Sequence, residues 1–118
     1  MENKEITVLY GTVGKMPDLV KIDPEDISAI HKLIGGYFEC ITIDGDMIML
    51  VDVAARIKSR PYACTIRALD AEIPIFGDWM IVRKKGQGFG SINSRMTKKF
   101  MCGILRNIML EKGATNGK

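Results

Sequence analysis

Tyr37–Val53 reads YFECITIDGDMIMLVDV. Two runs in it, YFECITI at 37–43 and MIMLVDV at 47–53, are rich in aliphatic, aromatic and β-branched residues, and the residues between them, Asp44, Gly45 and Asp46, are turn formers. Short apolar runs joined by such a connection read as two strands of a tight β-hairpin. Both strands are apolar on both faces, which predicts a central place in a sheet or a face covered by a partner chain.

Working outward, ITVLYGTV at 6–13 and LVKI at 19–22 flank the Gly- and Pro-punctuated GKMPD at 14–18, a second hairpin. Asp23, Pro24, Glu25 and Asp26 form a helix-start signal, with Asp23 as the capping acceptor and Pro24 at the first helical position. Ile27, Ile30, Leu33 and Ile34 recur at helical spacing, and Gly35 and Gly36 end the helix. His31 falls at the edge of that apolar face. From Ala54 to Leu69 the pattern is irregular, with Arg56, Lys58 and Arg60 at alternate positions before Pro61 and Tyr62. IPIFGDWMIVRKK at 73–85 holds another strand, placed at Trp79 to Arg83. After GQGFGS a last helix is expected from about Met96 to Lys112, with Phe100, Met101, Ile104, Leu105 and Ile108 as a broad apolar stripe. A stripe that wide must pack on its own sheet or on a second subunit, and a homo-oligomer is expected. The fold class expected is α+β: a mostly antiparallel β-sheet with one helix in the N-terminal half and a basic amphipathic C-terminal helix, all in a single domain over residues 1–118.

The chain has 118 residues, 47% hydrophobic and 26% charged, values of an ordinary globular domain with its own core. No apolar run reaches the eighteen residues of a membrane span, and MENKEITVLYG lacks the pattern of a signal peptide, so a cytoplasmic location is expected. Cys40, Cys64 and Cys102 are widely spaced and there is one histidine, a pattern that suggests neither a disulfide framework nor a metal site. Cys40 and Cys102 sit in apolar patterns and are expected in the core. A nucleophile pairing Cys64 or Cys40 with His31 would lack an orienting third residue.

Charge is split along the chain. Residues 81–118 carry nine Lys or Arg against one acid, Glu111, a balance of +8, while residues 1–80 carry eight against thirteen, or −5, for +3 overall. A basic tail on a mildly acidic body points to an anionic partner: phosphate, nucleotide, nucleic acid or an acidic protein. A solvated basic helix with no ligand has the same pattern.

Two stretches could carry chemistry. In GQGFGSINSRMTKK at 86–99, glycines allow close backbone approach, Phe89 between two of them can stack on a base, and Asn93 can read a base edge or ribose. Arg95, Lys98 and Lys99, with Arg106 further on, place cations where they oppose the helix dipole, an arrangement a bound phosphate would relieve. A plain strand-to-helix loop, or a different helix start, fits the same residues. Neither the phosphate-loop nor the dinucleotide fingerprint is present. In the second stretch Arg56, Lys58, Arg60, Tyr62 and Arg67 mix guanidinium forks with a ring, as a second wall of a nucleotide pocket would, or as one face of an amphipathic strand would. Trp79 is a further candidate for stacking. The acids lie in turns and at a helix start, so no general acid–base pair is evident, and binding without catalysis or cofactor is expected.

The order GTVGKMPDLVKI, LIGGYFECITIDGDMIMLVD, RPYACTIRAL and IFGDWMIV resembles a family of small phage and mobile-element domains of unknown function. LIGGYFE at Leu33–Glu39 corresponds to that family's "VGGYIE" turn and IFGD at Ile75–Asp78 to its "I-x-G" strand, while the family's Asn-Glu pair is replaced by Asp52 and Val53. The long basic C-terminal segment looks like that of the phage Thoeris anti-defence sponge proteins. That resemblance implies a homo-oligomer that sequesters, without cleaving it, the cyclic ADP-ribose isomer made by TIR-domain immune enzymes in the cytoplasm of the infected bacterial host. The alternatives are an interaction protein whose basic helix binds nucleic acid or an acidic host protein, and an enzyme that cleaves the nucleotide.

Overall fold

The computed structural model describes residues 5–68, 71–98 and 100. Among the described residues the elements follow in the order β1 (Ile6–Gly11), β2 (Asp18–Ile22), α1 (Ile27–Ile34), β3 (Phe38–Asp44), β4 (Met47–Asp52), β5 (Tyr62–Ala68), β6 (Ala71–Phe76), β7 (Trp79–Lys85) and β8 (Gly88–Gly90), with a second helical stretch starting at 94. The main sheet has the order β2-β1-β7-β4-β3, with β8 also on β7, and β5 and β6 form a separate hairpin. Every pairing is antiparallel. The class is therefore α+β and mainly β, and no described helix is long and apolar enough to cross a membrane.

The sheet is covered on both faces, which explains the double-sided hydrophobicity of β4. Ile48 and Leu50, with Val8, Met80 and Val82, meet Ile30 and Ile34 of α1. Met47, Met49 and Val51, with Leu9, Trp79 and Ile81, meet Cys64, Ile66 and Ile75 of the β5–β6 hairpin. All six residues of β4 are buried. Its partner β3 is instead the edge of the sheet, and Glu39, Cys40 and Thr42 are exposed on it. The expected core place of Cys40 is thus corrected, and it is Cys64 that is buried. Cys102 lies outside the described residues.

The start of α1 is one turn later than the sequence signal. Asp23 closes a local turn, accepting from the Glu25 N–H at 2.9 Å, and Asp26 caps the helix through the Ala29 N–H at 3.1 Å. Gly35 ends it as expected, at φ +99°. The irregular stretch from Ala54 resolves into a compact turn followed by β5. In β5 the alternation that marks a strand is carried inward by Cys64, Ile66 and Ala68, two of them small, so the pattern is faint. Within GQGFGS, Gly86 at φ +59° and Gln87 make a tight hairpin turn, and the next three residues are β8. Residues 94–98 are helical, so this helix begins two residues before the expected Met96, and the rest of its expected length lies outside the described residues.

Trp79 anchors the hairpin side of the core. It is 3% exposed, its ring meets Phe100 edge-on at 5.4 Å, and a side chain at Gly11 on the neighbouring strand would collide with the indole. Gly11→Ala should therefore destabilise the protein by about 1–3 kcal/mol through overpacking, measured by urea unfolding. Gly88→Ala, where the nearest atom to an added Cβ is 3.8 Å away, should stay within about 0.5 kcal/mol of wild type.

Candidate functional site

Asp52 is the one buried charged or polar residue among those described, with its side chain 1% exposed. It sits at the end of β4, where the chain turns away from the sheet. Its Oδ1 accepts the Ala54 N–H at 2.9 Å, and its Oδ2 takes the Lys58 ammonium at 3.0 Å, with Arg60 Nε at 3.7 Å. Lys58 and Arg60 both also donate to the Gly35 carbonyl, each at 3.1 Å. Burial works to raise the Asp52 carboxyl, but the Ala54 N–H and the two cations more than offset it and hold the group below the usual carboxylate range.

This knot folds the 53–60 turn back onto the C-terminus of α1. Two of the three cations expected to face a ligand, Lys58 and Arg60, are therefore tied to Asp52, with side chains that stay 39% and 40% exposed. Arg56 points the other way, its guanidinium 5.0 Å from the centre of the Phe76 ring, and Tyr62 meets the same ring edge-on at 5.8 Å. The Tyr62 hydroxyl also shares a hydrogen bond with Thr65.

Beside this cluster runs an open groove of about 220 Å³ between β3, the end of β4, the turn and β6. Ile41, Val51, Ile73 and Ile75 make its apolar surface, while Glu39 and Arg56 bring charge to it. Ile57, 88% exposed, stands at its side. Ligand sites for drug-sized molecules run to roughly 300–1,000 Å³, so this groove takes one ring system rather than a whole dinucleotide. An aromatic ring with a guanidinium over it can offer one face to a base and hydrogen bonds to a phosphate.

The second sequence constellation lies elsewhere. Asn93 is a helix cap, its Oδ1 accepting the Met96 N–H at 2.8 Å, so that side chain is occupied within the fold. Arg95 and Lys98 follow in the helical turn, and Lys99 and Arg106 lie outside the described residues. Trp79 is in the core, where no ligand can stack on it. Phe89 is half-buried in a row of rings, 6.0 Å from Phe38, which is 5.5 Å from His31, itself 4.9 Å from Tyr37. The Lys84 N–H bonds to the Asp46 carbonyl, so the β7–β8 turn is at the opposite end of β4 from Asp52. At about 3.4 Å per residue, six residues of strand separate the two places by about 20 Å. Phe89 itself reaches back to Phe38, the β3 partner of Asp52, but on the α1 face of the sheet, whereas the groove is on the hairpin face, so the described residues of the two stretches do not wall one pocket. Arg67, opposite Glu72 in the hairpin, is away from both.

Sequence reasoning missed Asp52 and Phe76. Asp52 was visible as a carboxylate closing an apolar strand just before three alternating cations. Phe76 had no signal of its own until β6 was known to pair with β5.

Residues 6–103 match the family described as a domain of unknown function, DUF3846. The chain belongs to that family. No curated protein matches this DUF3846 chain, and no solved structure does. The two motifs that carried the resemblance meet at the knot. A Cβ at Gly36 of LIGGYFE would lie 2.5 Å from Lys58 Nζ, and Gly77 of IFGD, at φ +80°, packs on the Arg60 side chain. Asp78 beside it accepts from the Tyr10 hydroxyl at 3.3 Å and the Val13 N–H at 3.3 Å, and that hydroxyl also donates to the Leu33 carbonyl at 2.7 Å.

Asp52 has a folded pKa below its unfolded value, so its stabilisation is full above about pH 3.9 and is lost as pH falls through the lower folded value. Asp52→Asn should lower stability at neutral pH by about 1.5–3 kcal/mol, the range for hydrogen bonds to a charged group. In urea unfolding at stepped pH, the variant should also lose less stability in acid than the wild type.

Proposed function

We propose that this protein binds a nucleotide-derived anion without transforming it. The reading rests on the Arg56–Phe76–Tyr62 cluster beside the groove, which pairs a phosphate-binding guanidinium with a ring surface for a base. The chemistry around it favours holding over reacting. Asp52 is tied to Lys58 and Arg60, Asp78 takes the Tyr10 hydroxyl and the Val13 N–H, and His31 lies against two rings.

In its specific form the proposal is a phage anti-defence sponge. The ligand is the cyclic ADP-ribose isomer made by TIR-domain proteins, and its sequestration in the cytoplasm of the infected host blocks Thoeris immunity. A homo-oligomer fits this form, since the groove of one chain is smaller than that ligand. A second reading, in which the chain binds nucleic acid or an acidic host protein, draws on Arg83, Lys84 and Lys85 at the β7–β8 end and on Arg95 and Lys98 after it.

Calorimetric titration with the cyclic ADP-ribose isomer, followed by denaturation and mass analysis of the released nucleotide, tests the first reading. Tight binding with intact nucleotide is expected. Arg56→Ala should weaken it roughly 10- to 100-fold, the loss of one charge-assisted contact. Asn93→Ala should leave affinity unchanged. Altered nucleotide would make the protein an enzyme. Absent heat, together with nucleic-acid binding that falls steeply with salt, would favour the second reading.

A further inference from the structure

The outer edge of β3 is built for pairing. The Val53 N–H donates to the Tyr37 carbonyl at 2.9 Å, so Tyr37 turns its backbone groups towards β4. Backbone groups alternate along an antiparallel strand, and Glu39 and Ile41 therefore face β4 as well. Phe38, Cys40 and Thr42 then present their N–H and C=O groups to the open side. The Lys84 N–H bond to Asp46 on the far edge of β4 fits the same alternation.

Two other edges carry lysine or proline: β2 has Lys21, and β6 has Pro74, which lacks the donor, whereas β3 carries an exposed acid, Glu39. The regular run Phe38–Thr42 has neither lysine nor proline, and the bulge that would interrupt a ladder comes only after Thr42.

The geometry points to a homodimer in which β3 pairs antiparallel with β3 of a second copy about a two-fold axis at Cys40. Centring on Cys40 uses all three outward-facing residues, Phe38 against Thr42 and Cys40 against its own counterpart, and it stops short of the bulge. Glu39 then stands opposite Ile41 of the second copy, so no two acids of this run face each other. Because the axis is perpendicular to the sheet, both β5–β6 hairpins lie on the same face. Glu39 and Ile41 border the groove, so the two grooves become neighbours across the axis. The pairing also reverses direction, and the end of the sheet bearing Arg83, Lys84 and Lys85 in one copy comes alongside the groove end of the other. This inference goes beyond the ligand reading and holds whatever the groove takes.

In a hydrogen-bonded antiparallel pair facing Cα atoms are about 5.5 Å apart, within reach of a short bismaleimide cross-linker. The full chain carrying Cys102→Ser should sediment as a dimer and give a covalent dimer with that reagent, because Cys40 is exposed and Cys64 is buried. Cys40→Ser should abolish the cross-link. Cys40→Lys sets two ammonium groups against each other and should leave a monomer at concentrations where the parent is dimeric, with its melting transition retained. A parent that sediments only as a monomer, or a dimer that survives Cys40→Lys and yields no Cys40 cross-link, would overturn the assignment. The outcome is independent of the nucleotide titration, so either proposal can fail alone.

Discussion

The Asp52 carboxylate organises one end of this molecule. A buried charge is tolerated only when it is paired and hydrogen-bonded, and here the pairing recruits the two cations that follow it in the chain. Once Lys58 and Arg60 reach Asp52, they also reach the Gly35 carbonyl, at the negative end of the α1 dipole. One interaction thus closes the 53–60 turn, caps the helix and fixes where β5 begins. It also dictates the sequence around it. A side chain at Gly36 would displace the Lys58 ammonium from beside the Asp52 carboxylate, and Gly77 turns at φ +80° under Arg60. In this chain LIGGYFE and IFGD thus each place a glycine against a cation of the knot.

The knot separates cations that look equivalent in sequence. Arg56, Lys58 and Arg60 alternate as if on one strand face, yet they lie on a tight turn that sends Lys58 and Arg60 to the carboxylate and Arg56 to Phe76. What alternates in sequence as three like cations is in the fold one guanidinium on a ring beside an apolar groove and two cations tied to a carboxylate.

Legibility in the sequence followed the strength of local signals. The 37–53 hairpin, the opening hairpin and the glycine end of α1 were readable because residue pattern and turn chemistry agree there. For β3 the pattern left a central place and a partner-covered face open, because Phe38, Ile41 and Ile43 make it as apolar as β4; the topology puts it at the edge, and the exposure of Cys40 follows from that. Asp26 rather than Asp23 caps α1 because the first acid is engaged in a turn with Glu25. The glycines of GQGFGS and the polar group of Asn93 invited a ligand, but a hairpin and a helix cap use the same residue types for the same backbone reasons. Trp79 has no sequence mark of its depth, since only the register of β7 against Gly11 turns its ring into the core.

The charge asymmetry acquires a spatial meaning from the topology. β7 runs antiparallel to both β1 and β4, so its basic end and the Asp52 knot are carried to opposite ends of the same sheet. Within one chain, about 20 Å of strand keeps the cations of 83–85 from assisting anything held near Phe76. The edge pairing proposed for β3 is antiparallel and would bring unlike ends of two copies together. The groove of each chain would then gain a second groove beside it and a basic sheet end along its flank. A ligand with two bases or two phosphates would find in that pair what neither chain supplies alone, and the fold would be linked to function through a backbone edge rather than through any single side chain.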